Sequence, residues 1–292
     1  MKLTRPSEVR RLLSEIGLRP VRTLGQHFLI DHNILDILIS VCGLSKRDRV
    51  LEVGPGLGVL TEPLLEGAAT VVAVEKDARL AAHLRGRFEG EPRLQLICAD
   101  ILERGVDGLL ADGITKVVSN LPYAAGTRIL IEILVSEHAP QRLVVTLQEE
   151  VAARLAAEPG RKSCGLLGVW GHLEYDVNVV RTVSAACFWP SPAVRSAIVR
   201  LDRRARLPAS PAERRAFFRL TKFAFGQRRK QIGGLLARDP AQIGAAAGAV
   251  PARLAAAGVD PRARPGDLCL DDWCRLARMA AGSGTADSGQ SR

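Results

Sequence analysis

The chain lacks the patterns that build metal sites, disulfide frameworks and membrane spans. Its 292 residues include six cysteines, but none forms a Cys-x-x-Cys pair and no histidine clusters with them. This spacing argues against a metal centre and against a set of disulfides. No apolar run approaches the ~20 residues of a membrane helix, and the polar, basic start does not resemble a signal peptide. We therefore expect a cytoplasmic protein with neither a metal nor a membrane partner.

Aromatic residues are also scarce, at 4% of the chain, whereas apolar residues as a group reach 47%. Such a chain can bury a substantial aliphatic core. Cys98, which lies in an apolar run, is expected to be a small core residue. The length predicts one large domain, or a large domain and a small one.

Acidic residues are sparse in the C-terminal third. Residues 1–180 carry 21 Lys and Arg against 23 Asp and Glu, a net charge of −2, whereas residues 181–282 carry 19 against 7, a net charge of +12. This regional excess favours the docking of a polyanion such as nucleic acid on the C-terminal part. The alternative is that the basic residues only solvate the surface.

Strands and helices alternate through the first two thirds of the chain. Short apolar runs typical of buried parallel strands are separated by helical patterns, which predicts a doubly wound parallel sheet of seven strands. The predicted strands are Arg49–Val53, Thr70–Glu75, Leu94–Cys98, Ile114–Ser119, Arg142–Leu147, Asp176–Val183 and Ser196–Leu201. A helix over Ser7–Ile16 with Ser7 as its N-cap, and a second helix capped by Asp31, are predicted before them.

The pattern changes after Leu201. A basic linker over 203–208 leads into stretches that look helical, and no strand pattern follows. These stretches are Pro211–Phe225, Arg228–Ala237, Pro251–Ala257 and Asp271–Ala281. We therefore expect an α/β domain over 1–202, a small helical domain over 203–282, and a disordered Gly/Ser/Ala-rich tail over 283–292.

A glycine loop, Gly54-Pro55-Gly56-Leu57-Gly58, follows the first of these strands. Its spacing differs from the G-x-G-x-x-G of dinucleotide binders, and no Gly-Lys-Ser/Thr follows as in a P-loop. The loop has no Lys or Arg, and Glu52 precedes it. A phosphate would be poorly stabilised there, whereas the cationic sulfonium of S-adenosylmethionine would suit it.

Two acids end the next two strands. Glu75 could accept hydrogen bonds from ribose hydroxyls, and Asp100 could accept one from the adenine amine of the cofactor. Either acid alone could be an ordinary strand-end cap. Together with the glycine loop, they predict a nucleoside-like ligand at the carboxyl edge of the sheet.

The stretch Asn120-Leu121-Pro122-Tyr123 follows the fourth strand. An Asn oxygen can accept a hydrogen bond from an amino group, proline makes a rigid turn, and a Tyr ring offers a face for a base to stack on. The combination predicts a site that binds an exocyclic amine on a planar ring. A plain strand-ending Asn-x-Pro turn is the alternative.

These motifs together resemble those of the ribosomal RNA adenine N6,N6-dimethyltransferase family, specifically its bacterial small-subunit (16S) members. The resemblance implies a class I methyltransferase domain (Rossmann-like, with a seven-stranded, mostly parallel sheet) followed by a small all-helical domain. It also implies a monomer that uses S-adenosylmethionine and acts on the small ribosomal subunit. The matching stretches are Leu24–Leu29, Glu52–Gly58, Glu75–Asp77, Asn120–Tyr123, Phe188–Pro192, Ser196–Val199 and Ala224–Lys230.

The resemblance also assigns roles by position. It places S-adenosylmethionine against His27, Leu29, Gly54, Glu75, Asp100 and Asn120. The target adenine would be held by Asn120, Pro122 and Tyr123, with Phe188 stacking on its other face. We hypothesise that the Asn120 side-chain oxygen and the Pro122 carbonyl accept the two N–H bonds of the amine.

RNA phosphates are expected to face a helix-compatible basic run that starts at Arg214 and ends in Arg228, Arg229 and Lys230. The chain departs from the family pattern at His27, where Asn is usual, at Ala124–Gly126, and at Arg195, where Asp is common.

Two other functions stay open at this point. One is a large-subunit rRNA adenine methyltransferase of the macrolide-resistance type, although those proteins usually have Ile where Leu121 stands. The other is a non-catalytic ribosome assembly factor or transcription factor on the same fold. The complete set of Gly54, Glu75, Asp100 and Asn120 argues against lost catalysis.

Overall fold

The computed structural model describes residues 5–18, 25–205, 210–246 and 248–282. These residues divide into two compact units. The first contains the residues up to Ala152 and Val177–Arg203, and the second contains Ala153–Asp176 and the residues from Arg204 on. The predicted tail over 283–292, part of the predicted linker over 203–208, and Leu24 lie outside the described residues.

The predicted seven-stranded sheet is confirmed and forms the centre of the first unit. Its strand order is β4-β3-β2-β5-β6-β9-β7; neighbouring strands from β4 to β6 run parallel, and β9 runs antiparallel to β6. A separate two-stranded ribbon pairs β1 with β8. The strands are β1 (Phe28–Leu29), β2 (Arg49–Val53), β3 (Thr70–Glu75), β4 (Leu94–Cys98), β5 (Lys116–Asn120), β6 (Arg142–Gln148), β7 (Tyr175–Val183), β8 (Phe188–Trp189) and β9 (Ser196–Arg203).

Helices lie before, between and after the strands, and each connection between parallel neighbours that follow one another in the chain contains at least one, as parallel pairing requires. They are α1 (Pro6–Glu15), α2 (His32–Cys42), α3 (Thr61–Gly67), α4 (Ala78–Arg87), α5 (Ile101–Arg104), α6 (Val106–Ala111), α7 (Gly126–Val135), α8 (Glu149–Ala156), α9 (Leu166–Glu174), α10 (Pro211–Phe225), α11 (Ile232–Arg238), α12 (Val250–Ala256) and α13 (Leu270–Gly282). No helix in the described ranges is long and apolar enough to cross a bilayer.

The helix starts confirm one predicted cap and correct another. Asp31 caps α2, and its side chain accepts a hydrogen bond from Ile34 N at 3.0 Å. Ser7 does not cap α1, because the helix begins one residue earlier, at Pro6, with Arg5 in the N-cap position. Proline is well suited to the first helical position, since its fixed φ is helical and its missing N–H would have no intrahelical partner.

The core of the first unit is aliphatic, as the composition predicts. Val50, Val71, Val118 and Ile198 are among its buried side chains, and α2 packs on them through Leu38 and its other apolar residues. Cys98, however, is exposed and is not a core residue. It lies on β4, which is the edge strand of the sheet.

The second unit contains no strand pairing of its own among the described residues. Trp170 of α9 donates through Nε1 to Thr221 Oγ1 at 2.8 Å, and its ring meets Phe218 edge-on at 5.3 Å between centroids. These contacts explain why residues 153–176 group with the C-terminal helices, which the predicted division at residue 202 did not foresee.

Two basic residues in this unit lie differently from the prediction. Arg214, expected on the outer face, is buried and forms an ion pair with Glu174, and its guanidinium lies 4.6 Å from the Phe218 ring centroid. The predicted helix from Arg228 begins only at Ile232. Arg228, Arg229 and Lys230 therefore lie exposed in the turn that follows α10.

Candidate active site

A cavity of about 580 Å³ opens where β2, β3 and β5 end, within the first unit. Open α/β sheets bind their ligands at this carboxyl edge. The cavity brings together eight of the residues predicted to act there: His27, Leu29, Gly54, Glu75, Asp100, Asn120, Pro122 and Tyr123. The described residues contain no group of three or more His, Cys, Asp and Glu side chains that could hold a metal ion.

The glycine loop requires glycine for two reasons. Gly54, Gly56 and Gly58 have φ values of +69°, +59° and +79°, in the region that L side chains rarely adopt. A Cβ on Gly56 would also lie 3.1 Å from the Phe28 ring, and one on Gly58 would lie 2.9 Å from Leu84 Cδ2. The loop therefore presents bare backbone to the cavity, which suits close approach of a ligand.

Glu75 ends β3, and its carboxylate binds the backbone of the glycine loop. Its Oε2 accepts from Gly56 N at 3.1 Å, and its Oε1 accepts from Asp77 N at 2.9 Å. Burial raises the pKa of this carboxyl. Because each carboxylate oxygen has a second lone pair, Glu75 can still accept ribose hydroxyls.

Glu52 is a second buried acid behind the same loop. It is 1% exposed, and it accepts a hydrogen bond from Thr61 Oγ1 at 2.7 Å. Burial raises its pKa to about 8. Because Glu52 also lines the cavity, its carboxyl is placed to stabilise a cationic ligand when ionised.

Asp100 follows β4 and is already engaged on both oxygens. Oδ1 accepts from Leu102 N at 2.9 Å, and Oδ2 pairs with Lys76 Nζ at 2.6 Å. The hydrogen bond from Lys76 lowers the pKa of this carboxyl. Sequence reasoning missed the lysine, although it follows Glu75 directly.

Asn120 is the last residue of β5, and its amide has a defined orientation. Nδ2 donates to the His27 backbone carbonyl at 3.0 Å. Because a carbonyl can only accept, the nitrogen must face His27 and Oδ1 must face the other way. Oδ1 is buried and has no hydrogen-bond partner among the described residues. Such an unsatisfied buried acceptor is costly and is typical of a ligand-binding position.

Tyr123 is held from two sides. Its hydroxyl forms a hydrogen bond with Ser196 Oγ, and its ring lies 5.0 Å from the His27 ring, between centroids. Burial raises the pKa of its phenol. The His27 ring is oriented in turn by Nδ1, which donates to the Pro190 carbonyl at 2.6 Å. Ser196 was not predicted as a site residue, although it begins one of the stretches that match the family pattern.

Two predicted contacts differ from the structure. The Pro122 carbonyl already accepts from Ala125 N at 3.1 Å and Gly126 N at 2.6 Å, because the chain turns there into α7. It has no lone pair left for an amine. Phe188 is 2% exposed, packs in the core, and does not line the cavity.

This architecture defines the class of protein. A mostly parallel seven-stranded sheet, with a glycine loop after its first strand and acids at the ends of the next two, is that of a class I methyltransferase. The family model for ribosomal RNA adenine dimethylase matches residues 19–243. The chain belongs to this family, and the predicted fold class and enzyme class are confirmed.

Individual relatives agree with this assignment. The ribosomal RNA small subunit methyltransferase A of Mycobacterium bovis (strain BCG / Pasteur 1173P2) is 39% identical, over 99% of this chain and 92% of that protein. The protein of the same name from Protochlamydia amoebophila is 38% identical, over 94% and 96%. The structure of 23S rRNA methyltransferase ErmE is similar with a TM-score of 0.66 and 27% identity, over 87% of this chain and 99% of that one. A dimethyladenosine transferase from Plasmodium falciparum, at a TM-score of 0.71 and 21% identity over 88% and 98%, shares the fold.

Proposed function

We propose that this enzyme transfers methyl groups from S-adenosylmethionine to the N6 amines of adenosines in small-subunit (16S) ribosomal RNA, giving N6,N6-dimethyladenosine. Its family supports the reaction, and relatives from Mycobacterium and Protochlamydia at 38–40% identity, named for the small subunit, support the substrate. The large-subunit alternative has weaker support, since ErmE is 27% identical. Because the substrate is a ribosomal particle of the bacterial cytoplasm, we also propose that the enzyme acts there, as a monomer.

The observation that carries the proposal is the buried Oδ1 of Asn120, which has no partner among the described residues and belongs to the cavity that Tyr123 also lines. The amino group of adenine is a poor nucleophile, because its lone pair is delocalised into the ring. An acceptor on one N–H favours a more tetrahedral nitrogen with its lone pair directed at the methyl group. Stacking on Tyr123 would hold the base, worth about 1–3 kcal/mol per base by analogy with single-strand binders. Positioning then supplies most of the rate.

The second N–H of the amine needs an acceptor other than Pro122. We propose the backbone carbonyl of Leu121, which comes directly after Asn120 and also lines the cavity. Phe188 retains its proposed stacking role only if the β1–β8 ribbon moves, because the structure buries its ring against Leu29. Tyr123 does line the cavity and remains the proposed stacking face.

The cavity also fits the cofactor. S-adenosylmethionine would supply an activated methyl group on a cationic sulfonium. We propose that Gly54 and its loop receive it with bare backbone, that Glu75 binds the ribose, and that Asp100 binds the adenine amine in competition with Lys76. His27, Leu29 and Asn120 complete the proposed wall. Glu52 would lose its proton and add negative charge when the cationic sulfonium binds, because a nearby positive charge favours the ionised carboxyl.

For RNA docking we propose the exposed cations of the second unit. Arg228, Arg229 and Lys230 lie exposed in one turn. Arg215, Arg219 and Lys222 are exposed on α10 at spacings of four and three residues, which places them on one face of that helix. Arg214 does not belong to this surface.

The direct test is methylation of purified particles. Small subunits that lack N6-methylated adenosine would be incubated with labelled S-adenosylmethionine and the enzyme, with large subunits as the control. Nucleoside mass spectrometry should find N6,N6-dimethyladenosine in the small-subunit RNA alone, and primer extension would locate it. Label in the large subunit alone would favour the ErmE-like alternative, and label in neither would contradict the proposal.

A further inference from the structure

A short segment before α2, residues Gly25–Ile30, contacts both the loop around β8 and the turn that follows Asn120; we name it the strap. Its far end is fixed to the loop around β8. Ile30 N donates to the Cys187 carbonyl at 2.8 Å, and β1 pairs with β8. The His27 ring adds its hydrogen bond to Pro190. These hydrogen bonds therefore fix one end of the strap to the loop around β8.

Its near end packs directly on the turn that follows Asn120. Gly25 has a φ of +65°, and a Cβ built on it would lie 2.9 Å from both Tyr123 N and Ala124 N. Contacts below 3.0 Å do not occur for real Cβ atoms, so any side chain at Gly25 would push the strap and the turn apart. Since both neighbours are backbone atoms, they cannot move aside as a flexible side chain could.

This close approach sets one hydrogen bond. The His27 carbonyl accepts from Asn120 Nδ2 at 3.0 Å, a usual distance for an N–H···O hydrogen bond, and any separation of the strap from the turn would lengthen it. An Asn amide can turn by 180° with little steric change. The His27 carbonyl can accept only from the amide nitrogen, so it decides which way the amide oxygen points.

We infer that the strap backbone, seated by Gly25, sets the orientation of the Asn120 amide, which makes Gly25 a positioning residue for methyl transfer. The inference rests on the proposed role of Asn120 as the amine acceptor. A Cβ at Gly25 lengthens the His27–Asn120 hydrogen bond, frees the amide to turn, and offers the amine a donor in place of an acceptor.

The chain contains a matched control for this substitution. Gly17 has the same φ of +65°, but a Cβ built on it meets nothing within 4 Å. Gly17→Ala and Gly25→Ala therefore introduce the same backbone strain, and only the second disturbs the turn. We expect Gly25→Ala to lower single-turnover methylation of unmethylated small subunits about 10- to 100-fold, the scale of a small misplacement of a reacting group. Gly17→Ala should stay close to wild type.

A double-mutant cycle separates positioning from general damage. If Gly25 acts through Asn120, then Gly25→Ala should cause no further loss in an Asn120→Ala background. An equal fold-loss in both backgrounds, or equal rates for Gly25→Ala and Gly17→Ala, would overturn the inference. Wild-type enzyme that leaves small subunits unmethylated would instead refute the proposed function.

A second variant keeps the test decisive if Gly25→Ala folds poorly. Asn120→Asp retains an acceptor oxygen but cannot donate to the His27 carbonyl. Because a carboxylate repels the His27 carbonyl instead of donating to it, the strap no longer holds the side chain in place, and turnover should fall well below wild type. Turnover near wild type would show that the donor half of the amide has no role and would overturn the inference.

Discussion

At the scale of single residues, the site departs from the rule that buried polar atoms are paired. Asn120 Oδ1 has no partner among the described residues, whereas Glu52 and Glu75 have partners but raised pKa values. Groups of this kind cluster at functional sites. Two of these residues, Asn120 and Glu75, are the subject of the next two predictions.

Asn120→Ala should nearly abolish methyl transfer while RNA affinity stays close to wild type, because phosphate contacts are spread over basic residues elsewhere. Single-turnover methylation and filter binding of small subunits measure the two properties separately. Asn178 is exposed, and Asn178→Ala makes the same substitution there as a control. Near-normal turnover in Asn120→Ala would exclude it as the residue that holds the amine.

Glu75→Ala should weaken S-adenosylmethionine binding by about 1.5–3 kcal/mol, the range for a hydrogen bond to a charged group. Calorimetry of the purified protein measures this directly. Because Glu75 also accepts from Gly56 N, thermal unfolding should be recorded in parallel to detect damage to the loop. Unchanged cofactor affinity would contradict the assignment.

At the scale of elements, the connections carry the chemistry and the strands hold them in place. The β2–α3 connection depends on Glu52, which is buried beneath the glycine loop and bonded to Thr61 of α3. The connection after α10 carries three exposed cations. The first connection should affect how stability depends on pH, and the second should affect how RNA binding depends on salt.

The Glu52 carboxyl should make stability depend on pH. The folded protein keeps this proton up to about pH 8, whereas the unfolded chain releases it near 4.5. The folded state therefore binds more protons between these values, and the free energy of unfolding should fall as pH rises through that window, by up to about 1.4 kcal/mol per pH unit.

Glu52→Gln should remove the loss in free energy of unfolding that the Glu52 carboxyl causes as pH rises. The variant should therefore gain stability relative to wild type at about pH 8 but not at about pH 5. Urea unfolding at both pH values measures the difference. The exposed Glu66→Gln on α3 makes the same change of charge and should show no such gain. A pH-independent difference for Glu52→Gln would argue that the carboxyl is ionised throughout.

For the turn after α10, replacing Arg228, Arg229 and Lys230 by Ala should weaken small-subunit binding and flatten its salt dependence. Each lost phosphate contact should lower the log–log slope by about 0.7–0.9. Cofactor affinity should not change. Replacing the exposed Arg47, Arg85 and Arg104 of the first unit removes the same charge and controls for long-range electrostatics. Equal slopes for the two triple variants would show that the turn is only a solvated surface.

At the scale of the whole molecule, the charge and the chemistry belong to different parts of the chain. The sheet unit holds the cavity, while residues 204–282 of the helical unit carry 15 Lys and Arg against 6 Asp and Glu, a net charge of +9. The helical unit must then be stable enough to present its cations. Its stability can be tested at the buried ion pair between Arg214 and Glu174.

Arg214→Ala should destabilise the protein by roughly 3–5 kcal/mol, because it leaves the Glu174 carboxylate buried without its guanidinium partner. Arg219 on the same helix is exposed, and Arg219→Ala should change the free energy of unfolding by no more than about 0.5 kcal/mol. Chemical denaturation followed by Trp fluorescence measures both. Equal effects would mean that the buried pair contributes little.

The sequence predicted the sheet well because most of its strands are short β-branched runs between strong turn signals. It also grouped the cavity residues correctly, since the carboxyl ends of parallel strands meet at one edge. It failed where tertiary contacts decide the outcome. Nothing local marks Arg214 as buried, the Pro122 carbonyl as occupied or Phe188 as a core residue, since each depends on a partner elsewhere in the chain. The grouping of residues 153–176 with distant helices is a further case.

That grouping has a consequence for how the chain can be shortened. Each unit is built from two stretches of chain, and the polypeptide crosses between them after Ala152, Asp176 and Arg203. Removal of everything beyond Arg203 would leave Trp170 and Leu173, both buried in the intact protein, without the helices that cover them. An isolated sheet unit would therefore need residues 153–176 excised as well, with a short linker from Ala152 to Val177. A chimera that takes the helical unit from a relative must likewise take two segments together, because neither segment alone completes a core.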